Sequence, residues 1–103
     1  MDQLSFREKL SNQKLPLLVD FYATWCAPCK MLSPVMESIS EKFEGKLEVI
    51  KVNIDDQPDV SESCSIMSVP TLIFFKNGKE IRRETGFYPE DELSEIINEE
   101  FGI

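Results

Sequence analysis

Histidine is absent from this chain of 103 residues, and cysteine occurs only three times. Without histidine there is no Cys–His pair for protease or acyl-transfer chemistry and no mixed Cys/His zinc site. Three cysteines are also too few, and too oddly numbered, for the disulfide framework of a small secreted protein. Two of them form a single Cys-x-x-Cys, a pattern that suggests redox chemistry in an intracellular α/β protein.

Positive charge is also scarce. Asp and Glu total 19 against 11 Lys and Arg, and the formal net charge of -8 repels nucleic acid and anionic lipid surfaces. No apolar run is long enough to span a membrane, and the first residues carry neither a basic leader nor an apolar signal segment. We therefore expect a cytoplasmic protein without nucleic-acid or membrane partners, and take a monomer as the starting assumption.

The order of apolar segments predicts an α/β fold. Repeats and Gly/Ser-rich linkers are missing, and the length suits one domain over residues 1–103. Leu15 to Ala23 is apolar on both faces, which is typical of a central strand covered by helices on both sides. Helical spacing follows from Cys29 to about Glu44, then a strand from Leu47 to Ile54, and Pro58 can open a short helix.

The C-terminal third adds an antiparallel hairpin. Asn77-Gly78, between strand patterns at 71–76 and 79–85, is the strongest short signal for a two-residue β turn. Pro89 at a first helical position, with apolar residues at helical spacing through Phe101, predicts a closing helix. The sheet is therefore predicted to be mixed, with helices on both faces.

Cys26 stands where the buried strand ends and the long helix begins. Free N–H groups and the helix dipole stabilise a thiolate there and lower the thiol pKa below its ordinary value of about 8.5. Cys29 lies one turn further on the apolar stripe, so it should be shielded and suited to attack an internal mixed disulfide. Pro28 presets the first helical turn, and the small Ala27 lets a protein substrate approach. Cys26 is thus the predicted nucleophile and Cys29 the resolving thiol.

Other interpretations of the cysteines stay open. Cys-x-x-Cys can be half of a zinc site, although only Cys64 and carboxylates are left to complete it. It can also be two buried cysteines without chemistry, against which Trp25 and the position at a helix start argue. As a third thiol, Cys64 could form a dimer or have a regulatory role, but it shares a helix face with Val60 and is interpreted as a small buried hydrophobic residue.

Asp20 interrupts the apolar strand between Val19 and Phe21. A carboxylate there carries a large desolvation penalty, which raises its pKa and makes it a functional candidate. It could take the proton from Cys29 as that thiol attacks. Lys51, in the neighbouring strand, could reach and tune Asp20; the two could instead form a purely structural pair, or Lys51 could extend to the surface.

The segment Val19 to Lys30 contains Trp-Cys-Ala-Pro-Cys-Lys and resembles the active-site segment of the thioredoxin family, with Ala27 where the family usually has glycine. The resemblance continues, in order and spacing, over about nine tenths of the chain. It includes Pro34, Lys51-Val52-Asn53-Ile54-Asp55, Val69-Pro70-Thr71-Leu72, Phe75-Lys76-Asn77-Gly78 and Gly86. It implies the thioredoxin fold, a central mixed sheet of four main strands flanked by four helices. The N-terminal edge strand is expected to be short or missing, because only Met1 to Leu4 precede the first helical pattern.

The resemblance also implies the composition of the site. Cys26 and Cys29 would form a redox-active disulfide, Asp20 and Lys51 would match the family's buried acid and its lysine neighbour, and the peptide before Pro70 would be cis. An extended substrate segment would dock in a shallow apolar groove and pair with backbone groups of Val69. The residues that shape this groove would be Trp25, Ala27, Pro28, Ile54, Val69, Pro70 and Gly86. Ala27 and Met67-Ser68 depart from the family pattern, so substrate preference and redox potential do not transfer directly.

The implied function is the reduction of protein disulfides, with electrons supplied by a thioredoxin reductase, no bound cofactor, and a role in cell redox homeostasis. The family's typical potential, about -270 mV, is the expectation. An oxidase or isomerase of the same superfamily usually carries histidine between the cysteines, and this chain has none. A non-catalytic binding module that uses the same groove is the alternative from a different class.

Overall fold

The computed structural model describes residues 2–103, which form four helices and four strands. In chain order these are α1 (Gln3–Ser11), β1 (Leu17–Tyr22), α2 (Ala27–Lys42), β2 (Glu48–Asn53), α3 (Pro58–Ser63), β3 (Thr71–Lys76), β4 (Lys79–Thr85) and α4 (Glu90–Phe101). The predicted mixed sheet flanked by four helices is confirmed. Within the described residues, none of the helices is both long and apolar enough to cross a lipid bilayer.

The sheet has the strand order β2-β1-β3-β4. β1 pairs in parallel with β2 and antiparallel with β3, and β4 completes the hairpin with β3. Because β1 and β2 are parallel, their carboxyl ends lie at the same edge of the sheet. The Ile54 N–H donates to the Tyr22 carbonyl over 3.0 Å at this edge. The loop that carries the first cysteine therefore lies beside the loop that follows β2.

The side chains of β1 alternate between two apolar layers. Leu18 packs with α2 and α4 on one face of the sheet, whereas Val19 and Phe21 pack with α1 and α3 on the other. By the two-residue period of a strand, Asp20 lies on the same face as Leu18. The strand thus directs this carboxyl group toward the layer that contains α2, the helix that begins at the cysteines.

The hairpin turn forms as predicted. Asn77 and Gly78 have φ angles of 53° and 79°, as a two-residue type I′ turn requires. The Gln13 side chain ties the turn to the segment before β1, because its Oε1 accepts from the Gly78 N–H at 2.9 Å and its Nε2 donates to the Phe75 carbonyl at 2.8 Å. The pairing of β3 with β4 shifts after Phe74 and leaves Ile81 as a bulge.

The N-terminal segment forms a helix rather than a strand. α1 begins at Gln3, and the Asp2 carboxylate caps it by accepting a hydrogen bond of 2.8 Å from the Ser5 N–H. No strand precedes α1 within residues 2–103, in agreement with the expected short or missing edge strand. The outer edge of β2 consequently has no partner strand in this part of the chain.

Two predicted helix ends differ from those observed. Pro89 is the N-cap of α4 rather than its first helical residue, because its ψ of 157° is extended. The proline ring restricts φ but leaves this ψ accessible, so proline fits both the N-cap and the first helical position. α2 ends at Lys42 with Phe43 as C-cap, two residues before the predicted end at Glu44, and Gly45 then turns the chain with a φ of 82°.

Candidate active site

Cys26 occupies the N-cap position of α2. Its backbone is extended, its sulfur accepts a hydrogen bond of 3.2 Å from the Cys29 N–H, and Pro28 stands in the first turn of the helix. The two sulfurs form a disulfide with a Cα–Cα distance of 5.3 Å. The predicted redox-active disulfide is therefore present. In the reduced protein, the same N–H group and the helix dipole favour a negative charge on the Cys26 sulfur.

Apolar neighbours enclose both cysteines. Cys26 and Cys29 are each only 5% exposed, and they pack with Ala23 and with the partly buried Ile54 and Val69. Such an environment limits water at the sulfurs. It also joins residues from three chain segments that are distant in sequence, residues 23–29, Ile54 and Val69.

A cis peptide between Val69 and Pro70 lies opposite the helix start, which confirms the isomer that the family resemblance implied. The Val69 carbonyl oxygen lies 3.7 Å from the Cys26 sulfur. The Pro70 carbonyl accepts a hydrogen bond of 2.9 Å from the Gly86 N–H, and Gly86 has a φ of 91°. The end of β4 is thereby fixed next to the residues that face the disulfide.

Trp25 is held against the loop after β2. Its indole Nε1 donates a hydrogen bond of 2.9 Å to Asp55 Oδ2, while two thirds of the residue stays exposed. The Asp55 N–H in turn donates to Asn53 Oδ1 at 2.9 Å. Asp55 had not been singled out from the sequence. The available signal was its position directly after a strand parallel to β1, since the carboxyl ends of parallel strands share one edge.

Asp20 is buried, with 1% of its surface exposed, and its Oδ1 has no hydrogen-bond partner. Burial raises its pKa to about 6, against a smaller opposing effect of the Lys51 charge. A carboxyl group with this pKa is partly protonated near neutral pH, so it can both accept and return a proton. The predicted rise in pKa is thus reproduced.

Lys51 is the Cα partner of Asp20 across β1 and β2. Its ammonium donates a hydrogen bond of 3.0 Å to Ser33 Oγ on α2 and lies 4.9 Å from the centre of the Tyr22 ring. None of the ion pairs within residues 2–103 includes Asp20. Lys51 therefore acts on Asp20 through its nearby charge rather than through a direct ion pair. Ser33 had not been predicted, because a flexible lysine can reach several acceptors.

A pocket of about 220 Å³ lies between α2 and the ends of β1 and β2. Cys29, Ser33 and Lys51 all contribute to its wall. The complete lining is Tyr22, Ala23, Thr24, Cys29, Lys30, Ser33 and Lys51. This pocket brings the resolving cysteine together with Lys51, the register partner of Asp20.

Cys64 lies outside this site. It is a free, partly buried thiol at the end of α3 that packs at the edge of the apolar layer around Val60. The interpretation of Cys64 as a small buried hydrophobic residue is therefore only partly right, because its burial is intermediate. Burial nevertheless raises its pKa. Within residues 2–103, no three His, Cys, Asp or Glu side chains come together as a metal site requires.

Comparison with known proteins agrees with this geometry. Residues 1–99 match the family model for thioredoxin. The thioredoxin of Porphyra purpurea is 42% identical over 94 residues, which cover 91% of this chain and 88% of that protein. The thioredoxin of Rickettsia bellii is 44% identical over 94 residues, with 91% and 90% covered. Thioredoxin 1 of Nostoc sp. is 40% identical over 93 residues, with 90% and 87% covered.

The matched range contains the helix-capping disulfide, the cis proline opposite it and the buried Asp20. This chain therefore belongs to the thioredoxin family of protein dithiol–disulfide oxidoreductases, with Cys26–Cys29 as its redox-active disulfide.

Proposed function

We propose that this chain, as a single domain over residues 1–103, reduces disulfides in cytoplasmic proteins with Cys26 as nucleophile and Cys29 as resolving thiol. The observation that carries this assignment is the position of the Cys26 sulfur. It caps α2, accepts the Cys29 N–H, and lies 3.7 Å from the Val69 carbonyl oxygen. No other cysteine in the described residues has a helix N-terminus to stabilise its thiolate.

The reaction proceeds in two exchanges. The Cys26 thiolate attacks one sulfur of the substrate disulfide, so that a mixed disulfide forms and the other substrate sulfur leaves as a thiolate. Cys29 then loses its proton and attacks the Cys26 sulfur. The second substrate sulfur leaves, the substrate has gained two electrons, and the Cys26–Cys29 disulfide has formed.

Asp20 is the proposed acceptor for the proton of Cys29. Its burial and its pKa of about 6 suit a group that must take a proton near neutral pH and give it back in the reverse direction. Lys51 tunes this acid from the neighbouring strand, since its charge favours the ionised carboxylate. The pocket that joins Cys29 to Lys51 supports this assignment.

The proposed docking surface surrounds Cys26. Several of the large exposed apolar side chains lie close in sequence to the site, with Trp25 67%, Met31 60%, Met67 94% and Phe87 40% exposed. Apolar area of this kind on a soluble protein is typical of an interaction site. The residues proposed to shape the groove are Trp25, Ala27, Pro28, Ile54, Val69, Pro70 and Gly86, with the Val69 backbone pairing with an extended substrate.

Insulin reduction with dithiothreitol as electron source tests the cysteine roles. We expect rapid reduction by the wild type, none above background by Cys26→Ser or Cys29→Ser, and an unchanged rate for the matched control Cys64→Ser. Cys29→Ser should accumulate a mixed disulfide with its substrate, which Cys26→Ser cannot form. Retention of insulin reduction by Cys26→Ser would refute the assignment, as would a cellular role that survives when both cysteines are replaced by serine.

Whether the protein acts as a reductase depends on the redox potential of its disulfide and on the regeneration of its dithiol. We propose that a thioredoxin reductase restores the dithiol, that the protein works as a monomer, and that no cofactor is bound. Equilibration with glutathione should give a potential near the family's typical value of about -270 mV, whereas about -120 to -180 mV would indicate an oxidase or isomerase. Recycling by purified thioredoxin reductase, followed through insulin reduction without dithiothreitol, tests the partner.

A further inference from the structure

The ammonium of Lys51, an exposed residue, makes two contacts. Ser33 Oγ accepts its hydrogen bond at 3.0 Å, and the face of the Tyr22 ring lies 4.9 Å away. Ser33 follows Cys29 by four residues, so both lie on the same face of α2. Both also line the pocket of about 220 Å³. The position of the lysine is thus coupled to the helix that carries the resolving cysteine.

The register partner of Lys51 is the buried carboxyl group of Asp20, which lacks contacts of this kind. Asp20 is opposite Lys51 in the parallel pairing, is 1% exposed, and leaves Oδ1 without a hydrogen bond. A buried anion and a nearby cation attract each other more strongly than they would in water, so an unrestrained ammonium would favour direct contact. The bond to Ser33 competes with that contact.

We propose that Ser33 is a positioning residue that holds the Lys51 ammonium at the wall of the pocket beside Cys29 and prevents a direct ion pair with Asp20. The consequence of this arrangement rests on the proposed function: without a direct ion pair, Asp20 remains free to receive the proton of Cys29. A directly paired carboxylate would be a weaker base, because the cation stabilises its ionised form.

Lys51 is the charged group that acts on Asp20. It is the register partner of Asp20 on β2, and its charge is the one that lowers the pKa of this carboxyl group. From β3, the register partner of Asp20 is the uncharged Leu72. On the face of β1 that Asp20 shares with Leu18, the residues of α2 and α4 that pack in the core are apolar. A change in the titration of Asp20 after substitution of the uncharged Ser33 is therefore expected to act through Lys51.

The test is the titration of the Asp20 carboxyl carbon by NMR in the reduced protein. Ser33→Ala should move the midpoint to lower pH by about half a pH unit or more. Ser33→Thr keeps the hydroxyl group and should have the midpoint of the wild type. Ser40→Ala, an exposed serine on the same helix, is the matched control and should leave the midpoint unchanged. In a Lys51→Met background, Ser33→Ala should have no effect.

The outcomes separate this inference from the proposed function. An unchanged Asp20 midpoint in a folded Ser33→Ala protein would overturn the inference, as would an equal change in the Lys51→Met background. The rate at which Cys29 resolves a preformed mixed disulfide is measured on the same variants. If the midpoint moves and the pH profile of that rate does not, Ser33 positions Lys51 as proposed and Asp20 loses its role as proton acceptor.

Discussion

Asp20 and Lys51 are register partners in the pairing of β1 with β2, yet the Lys51 ammonium donates its hydrogen bond to Ser33. The carboxyl group of Asp20 is therefore buried without a direct ion pair. Burial disfavours the ionised form, and the nearby lysine charge offsets only part of that effect. This relationship makes the stability of the protein depend on pH.

Replacement of Asp20 by asparagine should stabilise the oxidised protein at high pH. The carboxyl pKa rises from 3.8 to about 6 on folding, so between these values the native state binds more protons than the unfolded chain. The free energy of unfolding of the wild type then falls as the pH rises, by about 3 kcal/mol in total. Well below pH 3.8 both states are protonated and the penalty disappears.

Urea denaturation at pH 4 and pH 8 measures this effect. Relative to the wild type, Asp20→Asn should gain about 2–3 kcal/mol on going from pH 4 to pH 8. Asp56→Asn removes the same charge from an exposed position and controls for the net charge of -8. A constant difference between Asp20→Asn and the wild type at the two pH values would contradict the raised pKa.

The bond between Trp25 and Asp55 predicts a separate effect on substrates. Asp55→Ala removes the acceptor of the indole N–H and frees the ring that we place in the docking groove. A hydrogen bond to a charged group is worth about 1.5–3 kcal/mol, and less at an exposed site, so we expect kcat/KM for insulin to fall about two- to tenfold. The exposed neighbour Asp56→Ala should leave it unchanged.

A small disulfide serves as the comparison substrate in this experiment. It makes few contacts with the groove, so its reduction by Asp55→Ala should stay close to that of the wild type. An equal loss for insulin and for the small disulfide would place the effect on the cysteines instead of on docking.

The sheet and its turn follow from local sequence signals. Leu17–Tyr22 is apolar at almost every position because β1 is covered on both faces, and Asn77-Gly78 supplies the two positive φ angles of the turn. Such patterns report burial and backbone conformation, which neighbouring residues determine. The α/β fold could therefore be predicted before any resemblance was considered.

The site could be predicted only in part. The helix-start position of Cys26 follows from spacing, whereas the cis peptide before Pro70 was expected from the resemblance alone, since only about 5–6% of X-Pro bonds are cis. The contacts of Ser33 and Asp55 join segments distant in sequence. Their partners, a lysine and an exposed indole, can each reach several acceptors, so sequence spacing does not select one.

Cys64 should be a slow thiol. Its partial burial raises its pKa, which lowers the fraction of reactive thiolate at neutral pH, whereas Cys26 caps a helix. In the reduced protein, iodoacetamide at pH 7 should modify Cys26 at least about tenfold faster than Cys64. Mass spectrometry of a labelling time course measures both rates. Comparable rates would instead make Cys64 a reactive site, and unfolding in urea should accelerate its labelling.

Substitution of the turn glycine should destabilise the protein more than substitution of another glycine with the same backbone conformation. Gly78 and Gly45 have φ angles of 79° and 82°, so alanine at either position costs about 1–2 kcal/mol of left-handed strain. At Gly78 the added Cβ would also lie 3.1 Å from the Leu10 carbonyl oxygen, whereas at Gly45 it meets nothing within 4 Å.

The Leu10 carbonyl cannot move away without loss, because it accepts a hydrogen bond of 3.4 Å from the Gln13 N–H at the end of α1. A shift of the turn would instead lengthen the bond from the Gly78 N–H to Gln13, which ties the hairpin to the segment before β1. We therefore expect Gly78→Ala to lower the free energy of unfolding by about 1 kcal/mol more than Gly45→Ala. Urea denaturation of both variants under the same conditions measures the difference, and equal losses would show that the contact between turn and helix contributes nothing to stability.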